Sequence, residues 1–220
     1  MGRPKKKRGG KPVLTLDHIV ETALGMADEQ GIEQLSMRKL ATELGAGVMS
    51  LYHYVADKDT LVEALVDRVA SEVELETTGD WTAAARQLAV ATHEALLRHP
   101  WAIPEWSTVW PGPYRFALTE QLLEVLAGAQ LPPDVADLGF HALTNHIQGF
   151  ARQRVAYGDT RTDTEEMRNR VKGLLTQGDY PRVAEHVRYH VDGHSNHDEF
   201  GYVLDLILDG LARSKADCQQ

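Results

Sequence analysis

Apolar residues recur at the period of a helix from residue 16 onward, and no stretch alternates as a strand would. Leu16, Ile19, Val20, Ala23, Leu24 and Ala27 fall at i, i+3, i+4, i+7, i+8, one stripe of a helix. Thr15 stands before the stripe as an N-cap and Gly31 after it as a stop. Ser36 can cap a second helix with Met37, Leu40, Ala41 and Leu44 inside, ended by Gly45. A third carries Val48, Leu51, Tyr52 and Val55, and Asp57 can cap a fourth with Leu61, Leu65 and Val69. Residues 71–80 read as an extension of that helix with a turn at Gly79. Asp80 can cap the next helix, reaching about His99, and a Trp-rich, Pro-punctuated segment follows. Further helices are expected at about 113–128, 133–157, 163–176 and 198–214, with 180–198 loop-like save for a helical turn. The pattern predicts an all-α protein built helix on helix.

Charge divides the chain. Its 220 residues carry 23 Lys and Arg against 32 Asp and Glu, for a formal charge of −9. Arg3, Lys5, Lys6, Lys7, Arg8 and Lys11 all lie in the first eleven residues, which hold no acid. The remainder keeps 17 basic and 32 acidic residues, a formal charge of about −15. A basic arm on an acidic body suggests that one end meets a polyanion. No apolar run is long enough to span a bilayer, and the basic start lacks the apolar core of a secretory signal. The single cysteine, Cys218, supports neither a disulfide framework nor a structural zinc site. A reducing, cytoplasmic setting without membrane contact is the expectation. The phosphate-cradling, nucleophile-elbow and HExxH motifs of common enzymes are missing, so neither catalysis nor a cofactor is expected.

Helices two and three are joined by Gly45-Ala46-Gly47, a three-residue turn of the helix-turn-helix type. In that arrangement the second helix lies in the DNA major groove. At 100° per residue from Val48, Tyr52, Val55 and Leu51 fall at about 40°, 340° and 300°, toward the core. Met49, His53, Ser50 and Tyr54 fall at about 100°, 140°, 200° and 240°, facing out. A methionine, an imidazole, a hydroxyl and a phenol suit base edges and thymine methyls better than they suit a solvated coat. Tyr52 lies on the border.

The run LSMRKLATELGAGVMSLYHYVADKDTLVEALVDRV resembles the DNA-binding domain of the TetR family of bacterial transcriptional regulators. The matching pieces are Leu35-Ser36-Met37-Arg38, Leu40-Ala41, Leu44-Gly45, Ser50-Leu51-Tyr52, Tyr54, Lys58 and Leu61. Ile19-Val20, Ala23-Leu24 and Gly31 fit the family's first helix. The likeness covers about residues 13–73. Gly47, Tyr54 and Val55 depart from the commoner Ser or Thr, His and Phe. The resemblance implies a three-helix DNA-binding domain over 13–73 behind a basic arm at 1–12. It also implies a larger helical ligand-binding and dimerisation domain over 80–220. By the resemblance, Ser36, Arg38 and Lys58 touch phosphates, Met49, Ser50, His53 and Tyr54 face bases, and Tyr52 lines the groove wall. The implied partners are double-stranded DNA with a palindromic operator, a small-molecule effector, and a second copy of the chain.

For the C-terminal domain the residues add candidates. Residues 141–157 and 200–211 have wide apolar faces, and two copies of each would make a four-helix dimer interface. Trp101, Trp106, Trp110, Phe116, His141, Asn145, His146 and Phe150 are the candidate walls of a mostly apolar pocket. His186 and His190, four apart, with His194 and His197, raise a metal reading, but nothing completes a ligand set. The function expected is a repressor that releases its operator when a small, mostly apolar molecule binds. The alternative is a DNA-binding regulator whose body answers to a protein partner or a metal ion.

Overall fold

The structure, a computed structural model, describes residues 14–73, 79–158, 180–191 and 198–217, with a few single positions between 169 and 178. Among the described residues every regular element is helical. The chain forms two compact units, Met1–Leu65 and Val66–Gln220, and the division falls inside α4.

In the first unit α1 spans Leu16–Gln30. The Thr15 hydroxyl oxygen accepts from the His18 N–H at 3.2 Å, and Asp17 complements the positive end of the helix. Ile19, Val20, Ala23, Leu24 and Ala27 are buried as their spacing predicts, whereas Leu16, in the first turn, stays exposed. Gly31 ends the helix at φ +84°, a conformation costly for residues with a Cβ. A single 3₁₀ turn, Ile32–Gln34, leads to α2, Met37–Glu43, where Ser36 accepts from the Lys39 N–H at 3.3 Å. Gly45, at φ +60°, makes the sharp turn into α3.

Helix α3 is only Val48–Leu51. Beyond it the backbone continues as turns, with the Tyr54 and Val55 N–H groups both donating to the Leu51 carbonyl at 2.9 and 3.0 Å. Leu51 and Val55 are buried, so the inner stripe survives where the regular helix stops. Helix α4, Lys58–Ala70, starts under Asp57, whose carboxylate accepts from the Thr60 N–H at 2.8 Å. It ends at Ala70 and is not extended through the polar residues behind it; residues 74–78 lie outside the described residues.

In the second unit Asp80 accepts from the Ala83 N–H at 2.9 Å and opens α5, Trp81–Arg98. The buried face of α5 is rich in alanine (Ala84, Ala85, Ala89, Ala95), and α7 and α8 both pack against α5. A short α6, Ala102–Glu105, precedes α7, Pro113–Gly128, and α8, Pro133–Gly158. Residues 180–191 are not loop-like: Pro181–Val191 is a helix, α9. Pro181 suits a first helical position, Arg182 and Glu185 pair at 2.9 Å, and Val183, Val187 and Val191 recur every four residues. The helix expected at 163–176 lies mostly outside the described residues. Helix α10, Glu199–Asp217, buries Phe200, Leu204, Leu208 and Leu211 against α8 and α5. Leu211 reaches α8 over Gly139, where a Cβ would lie 3.0 Å from its methyl group.

Candidate functional site

In the first unit the outward face of α3 and its following turns is apolar and polar by turns, with no carboxylate before Asp57. Met49 is 75% exposed, and Ser50, Tyr52, His53 and Tyr54 are exposed beside it. Two of the residues expected on DNA are also tied within the unit. The Tyr54 hydroxyl donates to the Leu14 carbonyl at 2.7 Å, which fixes the residue where the basic arm joins α1. The Lys58 ammonium donates to the Ile32 carbonyl at 3.2 Å and keeps two further N–H groups for an outside acceptor. Ser36, half-buried, accepts from Lys39 and still has its O–H to give, and Arg38 is exposed at the first turn of α2. The Thr60 N–H, followed by its hydroxyl, holds the Asp57 carboxyl below the usual carboxylate range.

In the second unit a cavity of about 270 Å³ lies between α5, α7, α8 and the segment before α7. Leu88, Ala89 and Thr92 come from α5, Trp106, Ser107 and Pro111 from the connecting segment. Arg115, Leu118, Thr119 and Leu122 come from α7, and Phe140, Leu143, Thr144, Ile147 and Gln148 from α8. Three threonine hydroxyls spend their protons on their own helices: Thr92 on Leu88, Thr119 on Arg115 and Thr144 on Phe140. Arg115 is the one ionisable group among these lining residues. Its guanidinium donates to the Val109 carbonyl at 3.2 Å and to the Trp106 carbonyl, and lies 5.3 Å from the Trp106 ring centroid. Burial pushes its pKa down, and the nearby Asp67 opposes that push.

Asp67 itself is 7% exposed. Its carboxylate accepts from the Arg115 N–H at 2.8 Å and the Tyr114 N–H at 3.3 Å. Gly112 stands at the N-cap of α7 with no side chain to satisfy the first-turn amides, so a carboxylate from α4 does so. Gly112 is required there: a Cβ would lie 2.4 Å from the Asp67 Cγ.

Of the eight pocket residues expected from the sequence, the structure brings Trp106 alone to this cavity. Trp101 is buried with its ring steeply inclined to that of His99, 6.3 Å between centroids, while Trp110 and Phe116 are exposed. His141 is exposed near Asp137, and Asn145 is exposed. His146 and Phe150 join a ring cluster with Phe200, which stacks between His146 at 4.7 Å and His93 at 4.0 Å. Burial pushes both imidazoles below the usual histidine range. Among the described residues no group of three or more His, Cys, Asp or Glu converges on a metal position; His194 and His197 lie outside the described residues. Arg115, Thr92 and Phe140 carry no motif. The one legible hint was the missing cap at Gly112, which demands an acceptor without saying which.

Comparison with known proteins agrees with the helical fold. Residues 19–65 match the family model described as "Bacterial regulatory proteins, tetR family". Residues 75–214 match "Tetracyclin repressor-like, C-terminal domain". The HTH-type transcriptional repressor DrrR1 of Streptomyces coeruleorubidus is 35% identical over 219 residues, covering 94% of this chain and 80% of that protein. The crystal structure of apo ActR from Streptomyces coelicolor superposes with a TM-score of 0.75 at 27% identity, over 93% of this chain and 98% of that one. ActR in complex with actinorhodin superposes with a TM-score of 0.72 at 26% identity, over 92% and 98%.

Proposed function

The chain belongs to the tetR family of bacterial regulatory proteins, DNA-binding transcription factors rather than enzymes, and on that premise we propose a repressor released from its operator by a small organic effector. Met49, Ser50 and His53 read base edges in the major groove, and Tyr52 lines its wall. Ser36, Arg38 and Lys58 fix the register on phosphates, and Tyr54 contributes from its post against Leu14. The basic arm adds a salt-sensitive grip.

Two copies act together on a palindrome whose half-sites lie about 34 Å apart. Exposed apolar side chains on α8 (Leu138, Val155) and α10 (Tyr202, Leu206) support pairing through those helices. The effector occupies the cavity lined by Arg115 and Trp106, and this cavity is the observation that carries the reading. The relative solved with actinorhodin lends support. Binding shifts the population toward a form that no longer fits the operator, by no more than the effector's differential affinity for the two forms. The test is a small-molecule screen for release of the chain from a DNA site selected in vitro. Release that Ala89→Phe, which fills the cavity, abolishes supports the reading. Release untouched by that variant refutes it.

A further inference from the structure

The cavity walls are apolar and aromatic side chains with the uncharged polar groups of Thr92, Ser107, Thr119, Thr144 and Gln148, and one fixed positive charge. Arg115 stands in its wall with its guanidinium half-buried, and its two described acceptors are neutral carbonyl oxygens, those of Trp106 and Val109. The nearest carboxylate, Asp67, directs its oxygens to the Tyr114 and Arg115 backbone amides rather than to the guanidinium. A guanidinium has five N–H donors in one plane, so donors remain for an occupant. Its plane is also steadied by the Trp106 ring. A partly desolvated cation whose described hydrogen bonds go only to carbonyl dipoles, with the nearby Asp67 carboxylate engaged elsewhere, favours an anionic occupant, because the ion pair forms where water screens it little.

We propose that the effector is an anionic aromatic molecule, bearing a carboxylate, sulfonate or ionised phenol, and that Arg115 is the residue that reads its charge. This deepens the effector reading above and rests on it. The flat body packs against Trp106 and Phe140, and the acidic group meets the guanidinium fork. Neutral molecules of the same shape enter but gain only the apolar part. A purely structural Arg115, holding residues 106–109 to α7, predicts no such discrimination.

Two probes separate these cases: 1-anilinonaphthalene-8-sulfonate and N-phenyl-1-naphthylamine, which share their rings and differ by the sulfonate. Both are titrated by fluorescence into the full chain. The sulfonate is expected to bind at least about tenfold more tightly than the neutral amine. Arg115→Met is expected to erase that preference through weaker sulfonate binding, with the neutral probe within about threefold of its original affinity. Arg115→Lys, which keeps the charge but not the fork, should fall between. Equal losses of both probes in Arg115→Met, or equal affinities in the unaltered chain, overturn the charge reading while leaving the cavity reading intact. Ala89→Phe should remove both probes, and Leu122→Trp provides a second block should Ala89→Phe fail to fold. Binding of both probes that survives a folded blocking variant overturns the cavity reading and the charge reading with it.

Discussion

Replacing Asp67 tests how the second unit is held at the mouth of α7. Asp67→Ala removes the acceptor of two amide N–H groups in a setting where the carboxylate is 7% exposed. Losing a side-chain cap costs about 1–2 kcal/mol, and each amide left without a partner about 1–3 kcal/mol where water cannot reach it. Partial rehydration through the new space brings the expected loss to about 2–3 kcal/mol. For a unit of this size that is a fall in Tm of roughly 5–10 °C. Gly112→Ala should destabilise for the opposite reason, because its Cβ would sit 2.4 Å from the Asp67 Cγ. The double variant decides between mechanisms. Once Asp67 is alanine the new methyl has room, so the two losses should fall short of adding by about 1 kcal/mol or more. Urea unfolding of the four proteins of the cycle measures this. Additive losses, or an Asp67→Ala stability within about 0.5 kcal/mol of the original, would refute the contact as described.

Leu51→Ala should cost about 2–5 kcal/mol in the first unit and abolish DNA binding, since Leu51 is fully buried where α3 ends; a folded, binding-competent variant in thermal denaturation and anisotropy counts against it. Deleting residues 2–11 removes all six arm cations and should flatten the slope of log K against log salt by up to about 5. An unchanged slope removes the arm from the interface. His93 and His146 are held neutral by burial, so the folded chain takes up their protons at lower pH than the unfolded chain does. Their contribution is complete above about pH 6.5 and is lost as pH falls below that value. Calorimetry should therefore show Tm falling between pH 7 and pH 5, less steeply in His93→Leu; a Tm that rises over that range contradicts the assignment.

The helical architecture was legible because periodicity and caps agree. Thr15, Ser36, Asp57 and Asp80 each announce a helix and each accepts the expected amide. The segment at 181–191 misled because its histidines and charges hide a valine repeat behind a proline start. Angle placed Leu51 and Val55 inward and Met49, Ser50, His53 and Tyr54 outward as found, but it also turned Tyr52 toward the core, where the regular helix ends at Leu51 and Tyr52 stays exposed. The cavity could not be read in this way. Its walls come from three helices and a connecting segment, so membership depends on how α5, α7 and α8 pack, which no local spacing records. Aromatic content pointed to Trp110 and Phe116, which lie exposed, and gave no sign of Arg115, whose backbone N–H is held by Asp67 some fifty residues earlier.

Selection of bound sequences from a random DNA pool by the full chain tests the central claim most directly. The account predicts enrichment of one two-fold-symmetric site with half-sites about one helical turn apart. The same selection with the Ser50→Ala, His53→Ala double variant should lose preference at defined base positions in both half-sites. A pool that emerges unenriched, or a site whose base preferences are identical in the double variant, would contradict it.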